Sequence, residues 1–281
     1  MASLRYDLRG HGEGEGRQED APLSAHLNDV RVALAELRKR AAVTEVSLLA
    51  ASFSGGMAAY YAARGSGPLA RLALITPLLD CKNRFIGQKP YWHEDQIDDG
   101  HARELVEVGY AEHSPTFKSG RALLSEVFWV HPRDTLGEIT APTLIPHGAM
   151  DTFISIGSSR TAVPLLRAPH RLIEIEGAQH GIAVRDDPRC LNPRSQQWQA
   201  FAIRTIAVGR ERTAGSLPCA CQRLTQPARS WPGTPGAECP DGAGQLAGGA
   251  LGVGGRGDAQ RRQTFLGGNV GLAAERAGIG P

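Results

Sequence analysis

Apolar residues recur at steps of three or four along 23-LSAHLNDVRVALAELRKR-40, so Leu23, Leu27, Val30, Leu34 and Leu37 share one face of an amphipathic helix. The pattern then changes. Residues 45-EVSLLAA-51 form a short apolar run of strand length, a helix follows from about Ser54, and 70-ARLALITP-77 is a second such run closed by a proline. Further along, 143-TLIPHGAMD-151 predicts a strand entering a loop, 156-IGSSRTAVPLLRA-168 a helix, 170-HRLIEIEGAQH-180 a strand and loop, and 194-RSQQWQAFAIRTIAV-208 a closing helix. Strands alternating with helices predict an α/β fold whose parallel sheet is covered on both faces.

Two stretches break this rhythm. Between Asp80 and Arg133, helical patterns at 102-ARELVEVGYAEH-113 and 120-GRALLSEVFWV-130 follow a polar, aromatic-spotted loop, which is the signature of an inserted helical cap at about 80–133. From about Gly209 the composition shifts: the last 73 residues hold 17 of the 34 glycines and no lysine. Runs such as 242-GAGQLAGGALGVGGRGD-258 have neither a helical nor a strand period and too few large apolar side chains to offset chain entropy. The expected organisation is therefore one domain at 1–208 and a low-complexity, disordered tail at 209–281.

Composition narrows the classes of function. The chain of 281 residues is 41% hydrophobic, enough to bury a full core, and its net charge of +2 gives no reason to expect nucleic acid or an anionic membrane as partner. No apolar stretch approaches the roughly 18 residues that span a bilayer. Arg5, Asp7 and Arg9 interrupt the start of the chain where a secretory signal would need an apolar segment, so the expected location is cytoplasmic. Five cysteines, three of them in the tail, do not suggest a disulfide framework, and Cys219 and Cys221 lack the spacing of a zinc pair.

In open parallel sheets, reacting groups collect just past the carboxyl ends of the strands. Three such ends carry suggestive residues: Ser52 after 45–51, Asp151 after 143–148, and His180 after 170–176. Acyl transfer through a serine needs a hydroxyl, an imidazole to take its proton, and a carboxylate to hold the imidazole's tautomer. Ser52, Asp151 and His180 supply these groups in the chain order of α/β-hydrolases. Gly55-Gly56 invites an alignment that would put Phe53 at the nucleophile position. Shifting by one residue puts Ser52 on the turn, with the small residues Ala50 and Ser54 flanking it, as a tight strand-to-helix turn requires. The remaining histidines lack such partners in the sequence and read as surface or structural. The glycine-rich 9-RGHGEGEGR-17 fails the dinucleotide-binding pattern and has no P-loop lysine. The group His93, Glu94, Asp95, Asp98, Asp99 and His101 reads as a solvated loop, so neither metal nor cofactor is expected.

With these residues in place the chain resembles the α/β-hydrolases, and more narrowly the acyl-transferase or thioesterase component of the fatty acid reductase complex of luminous bacteria. That family sets its nucleophile in Ala-x-Ser-x-Ser, which 50-AASFS-54 matches; Tyr6-Asp7-x-Arg9-Gly10-His11, 125-SEVF-128 and 134-DTL-136 are similar blocks in the same order. The resemblance covers about residues 5–208. It implies Ser52 as nucleophile, Asp151 as orienter, His180 as base and the backbone N–H of Phe53 as an oxyanion donor. The implied substrates are long-chain acyl groups carried on acyl carrier protein or coenzyme A, and the implied partners are subunits of a fatty acid reductase complex. Members of this fold have about three strands and a helix ahead of the Tyr6-Asp7-x-Arg9-Gly10 strand, including a loop that supplies the second oxyanion amide. An N-terminally truncated sheet is thus expected, with an exposed edge beside the nucleophile strand unless something re-pairs it.

Three functions follow from this reading. The first is a serine acyl hydrolase or acyltransferase cleaving long-chain acyl thioesters through an acyl-serine intermediate. The second is a general carboxylesterase or serine peptidase of the same fold. The third is a truncated, inactive remnant that lacks the oxyanion loop.

Overall fold

The computed structural model describes residues 2–40, 43–114, 117–180 and 269–276. Among these, six strands form one sheet. Its members are β1 (Ala2–Asp7), β2 (Val43–Ala51), β3 (Arg71–Ile75), β8 (Thr143–Gly148), β9 (His170–Ile175) and β10 (Asn269–Arg276). The spatial order is β1-β10-β2-β3-β8-β9.

Strands β2, β3, β8 and β9 run parallel, as the alternation of elements predicts. Helix α1 (Leu23–Arg40) buries Leu23, Val30, Leu34 and Leu37, four of the five residues that define its apolar face, and half-buries the fifth, Leu27. Helix α2 (Ser52–Arg64) leaves β2 without a loop and buries Met57, Ala58, Ala59 and Tyr61 in the same core. Each large apolar side chain enclosed this way contributes about 1.5–3 kcal/mol relative to exposure, so the two helices hold the strand ends firmly.

The insertion between β3 and β8 is helical in part. It begins with a π-helical turn at Asn83–Gly87 and a short hairpin of β4 (Trp92–His93) and β5 (Gln96–Ile97). Helix α3 (Asp99–Val108) follows, then a hairpin of β6 (Tyr110–Ser114) and β7 (Phe117–Gly120), helix α4 (Arg121–Glu126) and a 3-10 turn at Arg133–Glu138. The helix expected over 102–113 therefore ends early. Gly109 adopts φ +85 and closes α3 as a left-handed cap, and the residues after it pair as a strand. The helix expected over 120–130 is likewise reduced to six residues. The insertion is anchored to α1, because the backbone N–H and Oγ of Ser24 donate to Glu126 at 2.8 and 2.6 Å.

The largest departure from expectation is β10. Residues 269–276, in the segment expected to be disordered, lie between β1 and β2 and pair antiparallel with both; Leu272 stands opposite Leu4 on one side and Leu48 on the other. The sheet is consequently mixed. The physical reason is edge pairing: β1 and β2 are one strand width apart, and their open N–H and C=O groups need a partner that local periodicity does not announce. The rest of the expected tail, 209–268 and 277–281, and the expected closing helix at 194–208 lie outside the described residues. No helix among the described residues is long and apolar enough to cross a membrane.

Candidate active site

Ser52 occupies the junction of β2 and α2 with φ +54, a left-handed conformation that a serine adopts only under constraint from its surroundings. The constraint is visible. Ala50 and Ser54, on either side, are fully buried, and the N–H of Leu78 donates to the Ser52 carbonyl at 2.9 Å. The two glycines that follow serve close packing rather than the turn itself. A Cβ on Gly56 would lie 2.0 Å from the carbonyl oxygen of Leu78, whereas one on Gly55 would meet Pro77 at 3.0 Å. Helix α2 thus rests directly on the backbone after β3, and Ser52 rides on that contact.

Asp151 follows β8 in a turn that its own carboxylate organises. Oδ1 accepts the N–H groups of Phe153 and Ile154, both at 2.8 Å, and Oδ2 faces His180. Behind it lies His147, fully buried on β8. His147 Nε2 donates to the carbonyl of Ile154 at 2.8 Å and stands 3.5 Å from Asp151 Oδ2, while Nδ1 pairs with Ser159 Oγ at 2.8 Å. Burial works to raise the Asp151 pKa, but the neighbouring imidazoles of His147 and His180 and the N–H of Ile154 outweigh it. The carboxyl is held well below the usual carboxylate range, so it is ionised at neutral pH.

His180 ends the loop after β9. The turn there uses Gly177 at φ +71, and the two loops lie backbone against backbone: Met150 N–H donates to Ala178 O at 2.9 Å, and a Cβ on Gly148 would meet that same oxygen at 2.4 Å. This contact brings the ends of β8 and β9 together, and the end of β2 meets them at Ser52. His180 Nδ1 donates to Asp151 Oδ2 at 2.7 Å, and His180 Nε2 lies 3.0 Å from Ser52 Oγ. The Asp151 side chain is closed to solvent and that of His180 is only 14% exposed. The arrangement can move a proton from a serine hydroxyl to an imidazole whose far nitrogen is fixed by a carboxylate.

The backbone N–H of Phe53 belongs to the first turn of α2, where amides have no intrahelical acceptor. Its side chain turns the other way, into a group of rings: His26 at 5.3 Å, Phe117 at 5.7 Å and Phe85 at 6.2 Å between centroids. The histidines beside this group are kept neutral. Burial lowers His26 to about 4, with His11 adding to the effect, and burial with Lys89 and Arg84 lowers His113 to about 3. On the side of β2 where the resemblance expects the second oxyanion amide, β10 is paired instead, and the residues leading into it lie outside the described ones.

Three neighbours of the site carry no sequence signal of their own. His147 reads in the sequence only as one of the surface or structural histidines, and the structure buries it behind Asp151; Phe153, whose ring lies 4.9 Å from that of His180, and Arg84, over the Phe153 ring, come from loops with no motif. The glycine-rich 9–17 segment is a turn: Gly10, Gly12 and Gly16 have positive φ, and Asp7 Oδ2 accepts the N–H of Glu13 at 3.1 Å. In the histidine and carboxylate loop, Asp98 caps α3 by accepting from the backbone and ring nitrogens of His101 at 2.8 and 2.9 Å.

Against known proteins, the model of the family described as serine aminopeptidase, S33, matches residues 1–96, which include Ser52. Among solved structures, the chain is similar to Est1E from Butyrivibrio proteoclasticus with ferulic acid bound. That likeness has 18% identity and a TM-score of 0.54, over 72% of this chain and 74% of that one. It is also similar to a structure described as that of a hydrolase from Agrobacterium vitis S4, at 21% identity and a TM-score of 0.53, over 71% and 74% of the two chains. No curated protein matches. The chain has the α/β-hydrolase fold; the comparisons do not reach the narrower resemblance to the acyl-transferase of luminous bacteria.

Proposed function

We propose that this chain is a serine hydrolase of the carboxylesterase type, cleaving oxygen esters through an acyl-Ser52 intermediate. The observation that carries the reading is the unbroken relay of Ser52 Oγ to His180 Nε2 at 3.0 Å and His180 Nδ1 to Asp151 Oδ2 at 2.7 Å, on a serine held at positive φ.

Ser52 Oγ attacks the ester carbonyl while His180 Nε2 takes its proton, and Asp151 stabilises the imidazolium that forms. The carbonyl oxygen, now an oxyanion, faces the N–H of Phe53 at the positive end of α2. Collapse breaks the bond to the alkoxy group, which leaves with the proton from His180. Water then attacks the acyl-serine, His180 accepts its proton and returns it to Ser52, and the carboxylic acid departs. The thioester reading differs only in the leaving group, a thiol of coenzyme A or acyl carrier protein, and the peptidase reading only in a leaving amine.

A fluorophosphonate should label Ser52 covalently in the folded protein, and Ser52→Ala should abolish labelling and lower ester turnover on the order of 10⁴-fold or more. Folded protein that never labels would refute the proposal. Matched oxygen esters, acyl thioesters and aminoacyl amides separate the three substrate classes, with oxygen esters expected to give the highest kcat/KM; a preference for long-chain acyl thioesters would reinstate the narrower reading.

A further inference from the structure

The π-helical turn at the start of the insertion places a cation at the rim of the candidate site. The guanidinium carbon of Arg84 lies 4.2 Å from the centre of the Phe153 ring, and that ring lies 4.9 Å from the ring of His180. Both Arg84 and Phe153 are bound to this position by neighbours. Phe153 is fixed through its N–H to Asp151 Oδ1, and Arg84 is fixed through Nη1 to Gln88 Oε1 at 3.1 Å.

What Arg84 lacks is an acid. Among the described residues no carboxylate forms an ion pair with it, although it is half-buried, whereas Arg9, Arg17, Arg64 and Arg160 each have one. The one carboxylate whose charge it feels is Asp151, which is closed to solvent and already engaged by Phe153, Ile154 and His180. Lys89, five residues on and also half-buried, donates to the carbonyl of His113 at 2.9 Å and adds positive charge on the same side. Burial lowers the Arg84 pKa and only Asp151 opposes it, the balance of a guanidinium short of a partner. A guanidinium so placed presents free N–H groups in a fixed fork that matches a carboxylate.

We infer that Arg84 is a specificity-determining residue that selects esters bearing a second, free carboxylate, the monoesters of dicarboxylic acids. The inference rests on the proposed esterase reading and adds to it the chemical class of the substrate. The ester carbonyl would sit at Ser52, with the acyl chain running past Phe153 and its terminal carboxylate on Arg84. The reaction is otherwise unchanged: the ester bond breaks, the alcohol leaves with the proton from His180, and water completes the diacid.

The test compares p-nitrophenyl monoesters of the linear diacids from succinic to suberic with neutral p-nitrophenyl esters of equal length, at low salt. For the best chain length the ratio of kcat/KM, charged over neutral, should be about ten- to a hundredfold, the range of a charge-assisted hydrogen bond in a half-buried site. Arg84→Gln should bring that ratio to about one and Arg84→Glu should invert it, whatever change both substrates share. Arg31→Gln, which removes an equal charge from the exposed side of α1, should leave the ratio as it is. A wild-type ratio near one while neutral esters are turned over and Ser52 labels would overturn this inference and leave the esterase reading standing. Absence of turnover with every ester together with absence of labelling at Ser52 would overturn both.

Discussion

Gly56 offers a test of whether the α2 contact holds the elbow, because two effects of opposite sign meet there. Gly56 lies inside α2, where alanine is intrinsically favoured over glycine by about 1 kcal/mol. Its Cβ, however, would come 2.0 Å from the carbonyl oxygen of Leu78, and real Cβ atoms essentially never come closer than 3.0 Å. The helix or the Leu78 backbone must therefore move by about 1 Å, and the partner is main chain with nowhere to rotate. Overpacking of this kind costs about 1–3 kcal/mol, occasionally more, which exceeds the propensity gain. Gly56→Ala should lower stability in urea and depress Tm by roughly 2–4 °C per kcal/mol lost. Since Leu78 N–H also holds the Ser52 carbonyl, the shift should reach the proposed nucleophile and slow turnover by up to about a hundredfold. Gly55→Ala is the internal control: its Cβ would meet Pro77 at 3.0 Å, a tight contact that small adjustments relieve, so its stability should stay within about 1 kcal/mol of the parent. A Gly56→Ala protein as stable as the parent, or more so, would refute the close approach and with it the account of the elbow.

The buried ring group predicts an acid limb of stability. Above the unfolded value of about 6.5, His26 is neutral in both states and contributes nothing to pH dependence. As pH falls from there towards about 4, the unfolded chain takes up a proton that the buried ring does not, so stability falls, on the order of 3 kcal/mol in all. His26→Phe should reduce the slope of that limb in urea titrations across the range, leaving the part that His113 and His11 contribute, and an unchanged slope would show that His26 is not kept neutral. For the sheet, Leu272→Pro removes a ladder N–H from a strand paired on both sides and should cost about 1–3 kcal/mol or more, with loss of hydrogen-exchange protection at Leu48 and Ala50. Unaltered protection there would mean that β2 does not depend on β10.

The order of the candidate site residues along the chain is legible in the sequence itself. Apolar runs with abrupt ends marked β2, β8 and β9, and a reactive side chain just beyond each was enough to single out Ser52, Asp151 and His180. The small residues Ala50 and Ser54 fixed which serine stands on the turn. Helix α1 was equally plain, because an amphipathic face repeats locally every three or four residues and needs no knowledge of its partner.

Other features depend on contacts between segments far apart in sequence, and no local pattern encodes them. His147 is one histidine among nine in the sequence, and only the packing of β8 against α5 (Ile156–Ala162) buries it behind Asp151 with Ser159 as partner. Arg84 reaches the site because the insertion folds back over Phe153. Strand β10 is the clearest case: NVGLAAER has no strand signature of its own, and its conformation follows from two open edges, β1 and β2, one strand width apart. Local sequence determined which residues could do the chemistry, through periodicity and turn requirements that act over a few residues. Only the tertiary structure decided their distances, the charge left unpaired at Arg84, and what pairs with the open edge of β2, because those are settled by surfaces that meet from distant parts of the chain.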